Sequence, residues 1–167
     1  MHKVQPLINS IPEKLQAITS ILVTGSSISY FSAISLGRKS SDVCSTIYKA
    51  IAMYEQGFTP TQSEAEILLE AMTEVVELTE KQLSLLAATK PVFDKLWITG
   101  VVRKNTTSLG VASAKLSEVM SRVEPEYLRE PGRTLEDRRK VAFEKTVAVY
   151  GNGNAQNGED REGQGVE

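Results

Sequence analysis

Between Thr61 and Ala88 the apolar residues recur at helical spacing. At 100° per residue, Ile67, Leu68, Ala71, Met72, Val75, Val76, Leu78, Leu83, Leu85 and Leu86 fall in one arc roughly 180° wide. Glu66, Glu70, Glu74, Glu77, Glu80 and Lys81 fall in the opposite arc. An apolar face this broad needs partners on two sides, so the segment reads as one member of a multi-helix bundle. Glu64 also lies in the apolar arc, where Thr61 and Glu64 form a capping box. Thr79 and Gln82 interrupt the same arc, and no local device explains them.

The same period recurs elsewhere. A first helix is predicted over Lys3 to Val23, with a stripe of Val4, Leu7, Ile8, Ile11, Leu15, Ile18, Ile21 and Leu22, kinked or interrupted at Pro12. Thr24 to Lys39, rich in Ser and Gly with Ile28, Tyr30, Phe31, Ile34 and Leu36 scattered among them, reads as a packed connection with room for a short helical turn. Ser40 or Ser41 then caps a second helix to Glu55, whose inner face is Val43, Cys44, Ile47, Ala50, Ile51 and Tyr54. Lys90-Pro91 predicts a break after the third helix. A fourth helix follows, Val92 to Val123, with Ile98, Val101, Val102, Leu109, Ala112, Leu116, Val119, Met120 and Val123 on its stripe. Pro125 to Arg133 reads as a loop. Thr134 opens a fifth helix that ends at Tyr150, with apolar residues on both sides and no clear facing. Residues 151–167 carry almost no apolar side chain and read as a disordered acidic tail. The predicted fold is all-α: a bundle of about five helices over residues 1–150, followed by that tail.

Composition narrows the function. The 167 residues carry a formal net charge of −2, which argues against a general nucleic-acid partner. One cysteine, Cys44, excludes a disulfide framework, and one histidine, His2 at the terminus, makes a His-based triad or metal site improbable. No run approaches the roughly 18 apolar residues of a membrane span. The apolar positions after Lys3 are broken by Asn9, Ser10, Pro12, Glu13 and Lys14, unlike a secretory leader. The glutamates of the third helix face outward, a solvated surface more than a metal site, and Arg133, Arg138, Arg139, Lys140 and Lys145 of the fifth helix either pair with that surface or, equally, form a basic surface patch. No metal, cofactor, phosphate loop or nucleophile elbow is expected.

Asn105-Thr106-Thr107 matches a glycosylation acceptor, yet Asn105 falls within the apolar stripe of the fourth helix. Thr79, Gln82 and Asn105 are thus three neutral polar residues on inward faces. Either they bond within the core, or they orient the polar end of a ligand in a mostly apolar cavity. On the second reading, helices two, three and four enclose a cavity walled by Ile47, Ile51, Tyr54, Val75, Leu78, Leu86, Leu109, Leu116 and Met120. Thr79, Gln82 and Asn105 are its anchors.

The order of segments resembles the fungal hydrophobic-surface-binding protein A family, the cell-wall galactomannoproteins. Leu78-Thr79, the Lys-Pro-x-Phe run at Lys90 to Phe93, the closing Val-x-Pro at Val123 to Pro125, and the opening VQPLINSIPEKLQAITSI carry the resemblance, which covers Val4 to Tyr150. It implies a secreted all-α bundle that adsorbs to hydrophobic surfaces, sits in fungal walls, and in some members encloses a fatty acid. The chain departs from the pattern in its missing leader, its higher charge and its acidic tail. The resemblance implies a secreted or wall location, which holds if a leader has been removed from this chain; if the leader's absence is genuine, the expected location is cytoplasmic. Taken together, the expected activity is binding of a hydrophobic small molecule, such as a fatty acid, in the bundle. The alternatives are a cofactor-free cyclase or pericyclase preorganising a terpenoid or polyketide in the same cavity, and a pure surface-adsorption module.

Overall fold

The structure is a computed structural model that describes residues 3–151. It contains five helices: α1 (Val4–Leu22), α2 (Tyr30–Glu55), α3 (Gln62–Lys95), α4 (Thr99–Ser121) and α5 (Arg129–Gly151). Short 3-10 turns precede α2 and α5, and no strand occurs among the described residues. The pairings form a closed ring. α1 packs on α2 and α3, α4 packs on α2 and α5, and α5 returns to α3. Consecutive helices α3 and α4 barely touch. The core fills the centre of this ring, with Phe93, Ile8, Ile11, Leu15, Leu83 and Leu116 sealed from solvent.

The capping box of α3 is present: Glu64 N–H donates to Thr61 Oγ1, and Thr61 N–H donates to Glu64 Oε2 at 2.7 Å. Pro12 lies buried inside an α1 that runs on as one helix. Three boundaries differ from the sequence expectation, each for a local reason. α2 starts at Tyr30, well before Ser40, because Ser29 caps it by accepting the Ser32 N–H at 3.2 Å. α3 passes through Pro91. Proline removes one backbone bond, but burial of Phe93 two residues on anchors the extra turn, and the Thr89 hydroxyl donates to the Leu85 carbonyl at 2.7 Å. The break falls instead at Trp97, whose φ is +60°. Ile98 N–H reaches back to Phe93 O and Trp97 N–H to Asp94 O, a Schellman motif with tryptophan where glycine is usual. α5 starts at Arg129, because Pro131 sits in a first turn that needs no N–H from it.

The facing of α5 is resolved: Arg139, Phe143, Thr146 and Tyr150 are buried, whereas Val141 and Val149 are exposed. Arg138 binds Glu80 on the acidic face of α3 through two hydrogen bonds of 3.0 and 2.7 Å. Gly151 is the last residue of α5 and not the first of a tail. The expected disordered segment otherwise lies outside the described residues.

Candidate functional site

A cavity of about 440 Å³ opens between the first half of α2 and the start of α4. Ala33, Ile34, Leu36 and Gly37 come from α2, and Ile98, Val101, Val102 and Leu109 from the opposite side. Gln82, Leu83 and Leu86 of α3 and Ile18 of α1 close its depth. Small residues make room along α2. Ala33, Gly37, Ser40 and Ser41 share one helical face, and a methyl group added at Gly37 would meet only the Asn105 amide nitrogen, at 3.4 Å.

The polar residues of the wall are Tyr30, Arg38, Ser40, Ser41, Gln82, Asn105 and Thr106. Gln82 is 3% exposed, and its Oε1 has no hydrogen-bond partner. A buried acceptor left in this state costs about 1–3 kcal/mol. Asn105 is half-buried on the same wall. Thr106 spends its hydroxyl on the Val102 carbonyl at 2.9 Å. Tyr30 and Arg38, both exposed, are the ionisable residues of the lining. Behind the cavity, Tyr150 O–H donates to the Leu86 carbonyl at 2.7 Å and ties α5 to α3. Burial pushes the Tyr150 phenol well above its ordinary range, so it stays a donor.

A sequence profile of hydrophobic surface binding protein A matches residues 2–122. The chain belongs to this family. No curated protein sequence matches the chain. Solved structures do. The fold is similar to that of AfMP4p in complex with palmitic acid, with a TM-score of 0.83 at 14% identity over 88% of this chain and 97% of that one. It is similar to ligand binding domain 1 of Penicillium marneffei MP1 protein complexed with arachidonic acids, with a TM-score of 0.77 at 16% identity over 87% and 94%. Domain 2 of that protein, complexed with multiple arachidonic acids, gives 0.78 at 17% identity over 89% and 94%. At these identities the likeness establishes a common fold.

Against this hydrophobic surface binding protein A bundle, the residues singled out in the sequence separate into groups. Gln82, Leu86, Asn105 and Leu109 stand together on the cavity wall. Ile47, Ile51, Tyr54, Val75 and Leu116 are buried in the core, and Leu78 packs against it, half-buried. Thr79 is buried but not on that wall. The physical reason is the position of α2. Its second half, from Val43 to Tyr54, packs closely in the core, and its first half, which reads as a connection in the sequence, spans the opening. Tyr30, Ala33, Ile34, Leu36, Gly37 and Arg38 were therefore missed. The signal that could have found them is the small-residue face at Ala33, Gly37 and Ser40.

Met120 lines a second cleft of about 520 Å³ between α3, α4 and the start of α5, together with Leu69, Met72, Val76 and Leu135. Glu118, Glu124, Arg129, Arg133 and Glu136 also line it. Burial raises the Glu124 carboxyl above the ordinary glutamate range, and Arg129 partly opposes this. The two walls are about equally apolar, and the five charged side chains of this one set it apart from the α2–α4 cavity.

Proposed function

We propose that this member of the family binds one long-chain fatty acid, or a lipid of similar shape, in the α2–α4 cavity. The observation that carries the reading is Gln82 Oε1: an unpartnered acceptor at the depth of a mostly apolar wall. A carboxylic acid held neutral by the apolar surroundings donates its O–H to this oxygen, and the Asn105 amide donates to the ligand's carbonyl. The alkyl chain supplies most of the affinity at about 0.8 kcal/mol per buried methylene. A volume of about 440 Å³ lies within the usual range of small-molecule sites. The palmitic and arachidonic acids bound by AfMP4p and the MP1 domains support the same ligand class. Family membership supports a secreted or cell-surface location, and no helix among the described residues is long and apolar enough to cross a membrane. No feature of the wall favours a preorganising cyclase over simple binding.

The test compares palmitic acid, hexadecanol and methyl palmitate in displacing a fluorescent fatty acid. At about pH 4, where the free acid is largely protonated, acid and alcohol both carry an O–H donor, so both should bind about 5-fold more tightly than the ester, the worth of one hydrogen bond of roughly 1 kcal/mol. Gln82→Leu should abolish that difference. Equal binding of all three by the native protein would remove Gln82 from the site, and no displacement by any would end the lipid reading.

A further inference from the structure

The rim of the cavity is as unusual as its depth. Phe31 is 82% exposed and Trp97 94% exposed, and Tyr30, Ile34 and Val101 add partly exposed apolar surface at the mouth itself. Phe31, Ile34 and Arg38 follow one another at spacings of three and four on α2, and Val101 and Lys104 do the same on α4. The Tyr30 and Phe31 rings meet edge to face at 6.5 Å. Trp97 holds a left-handed backbone conformation that costs an ordinary side chain roughly 1–2 kcal/mol, and its own packing does not repay this, because the side chain stands in solvent. Apolar surface of this kind, gathered in one place, marks an interaction site.

The two chain stretches that form this rim carry charge of one sign. From Lys14 to Ser41 the chain has no acidic residue, and from Lys95 to Ser117 it has none. Arg38, Lys39, Lys95, Arg103 and Lys104 come from these stretches, and none of them has an ion pair among the described residues. Asp94, the acid beside the turn, is already engaged: Lys90 donates to it at 2.7 Å and Thr99 at 2.5 Å, and these bonds hold its carboxyl below the usual range. Apart from Asp94, the acids of α3 lie between Glu64 and Glu80 and those of α5 between Glu130 and Glu144, so the net charge of −2 conceals a cationic end.

We propose that this end is a docking face for an anionic lipid bilayer, with Trp97 and Phe31 inserted among the headgroups and the cavity mouth held against the membrane. Aromatic side chains favour the membrane interface, and each cation near an anionic surface adds about 1 kcal/mol. The proposal goes beyond filling of the cavity, because the cavity would then exchange its ligand with the bilayer and not with water. It rests on the cavity reading only for that last step.

Trp97 is the sole tryptophan, so its emission reports docking directly. Ligand-free protein is titrated with vesicles of phosphatidylcholine alone, and with vesicles containing a third phosphatidylserine. The expected result is a blue shift with the anionic vesicles, quenched by brominated acyl chains and weakened by high salt. The double variant K95E/K104E should lower vesicle affinity by at least about 30-fold, at roughly 5-fold per lost cation. Phe31→Ser should also weaken docking. Circular dichroism melting confirms that the variants fold. Uptake of a fluorescent fatty acid from solution, measured separately, reports the cavity whether or not docking occurs. Unchanged emission with anionic vesicles overturns the proposal. Equal binding to both vesicle types, or binding unaffected by the variants, does the same. A blue shift that grows with protein concentration in the absence of lipid, with dimers in sedimentation, would assign the face to a second copy and overturn it too.

Discussion

Gly37→Leu separates a ligand cavity from a packed core by the signs of two effects. Gly37 lies within α2, where glycine costs about 0.8–1 kcal/mol of helix stability relative to Ala. A side chain there points into the 440 Å³ cavity and meets only the Asn105 amide within 4 Å of its first carbon. Burying a leucine side chain adds about 1.5–3 kcal/mol. The ligand-free protein should therefore gain roughly 2–4 kcal/mol, read as a higher midpoint in urea with an unchanged slope. The ligand should lose. Four carbons placed in the cavity displace about as many methylenes of the chain, worth about 3 kcal/mol, so fatty-acid affinity should fall about 100-fold. A packed core behaves in the opposite way, because inserted methylenes strain it by about 1–3 kcal/mol. Destabilisation by Gly37→Leu would refute the void. Stabilisation with unchanged affinity would move the ligand elsewhere, with the Met120 cleft the first place to look.

Glu124→Gln should stabilise the protein above the carboxyl's titration range and leave it unchanged below. The folded group has the higher pKa, so its burial cost appears as pH rises through the ordinary glutamate range up to the raised value; melting at pH 3.5 and pH 7 tests this. Gly110→Ala should destabilise by about 1 kcal/mol, because the new methyl would sit 3.1 Å from the buried Phe143 ring and the crowding exceeds the gain in helix propensity; chemical denaturation measures it. Tyr150→Phe should cost about 1 kcal/mol through loss of the bond to the Leu86 carbonyl, read by the same method. Asn105 should carry no glycan in peptide mass spectrometry of protein from a secreting host, since it lies inside α4 against the cavity.

The helices were most legible where local and tertiary signals agree. α1 and the start of α3 follow from an unbroken apolar stripe and a capping box, and both stand where expected. α2 was half legible. From Ser29 to Ser41 the serines and glycine favour turns by intrinsic preference, and packing against α1 and α4, together with the Ser29 cap, selects the helix. The site inherited this division. Gln82 and Asn105 stand out because polar residues on an apolar face need an explanation, and Leu86 and Leu109 share their faces, so four residues of the cavity wall are legible, whereas the α2 wall lies in a segment that reads as a connection. Pro91 misled by its usual behaviour. Trp97 could not have been foreseen as a helix stop, because tryptophan carries no preference for a left-handed φ.

The ring of pairings has a kinetic consequence. Because α4 leans on α2 and α5 and hardly on α3, the hairpin between consecutive helices that would nucleate an up-and-down bundle is missing at this corner. The α2–α4 contact must instead close a long stretch of chain, and non-local pairings of this kind form slowly. If that wall is completed after the rate-limiting step, a ligand that bridges it acts on escape from the native state and not on its formation. Occupancy should then lengthen the unfolding half-life and leave the refolding rate nearly untouched. The lipid would serve as a latch, and stopped-flow chevrons with and without it would show one arm displaced and the other in place.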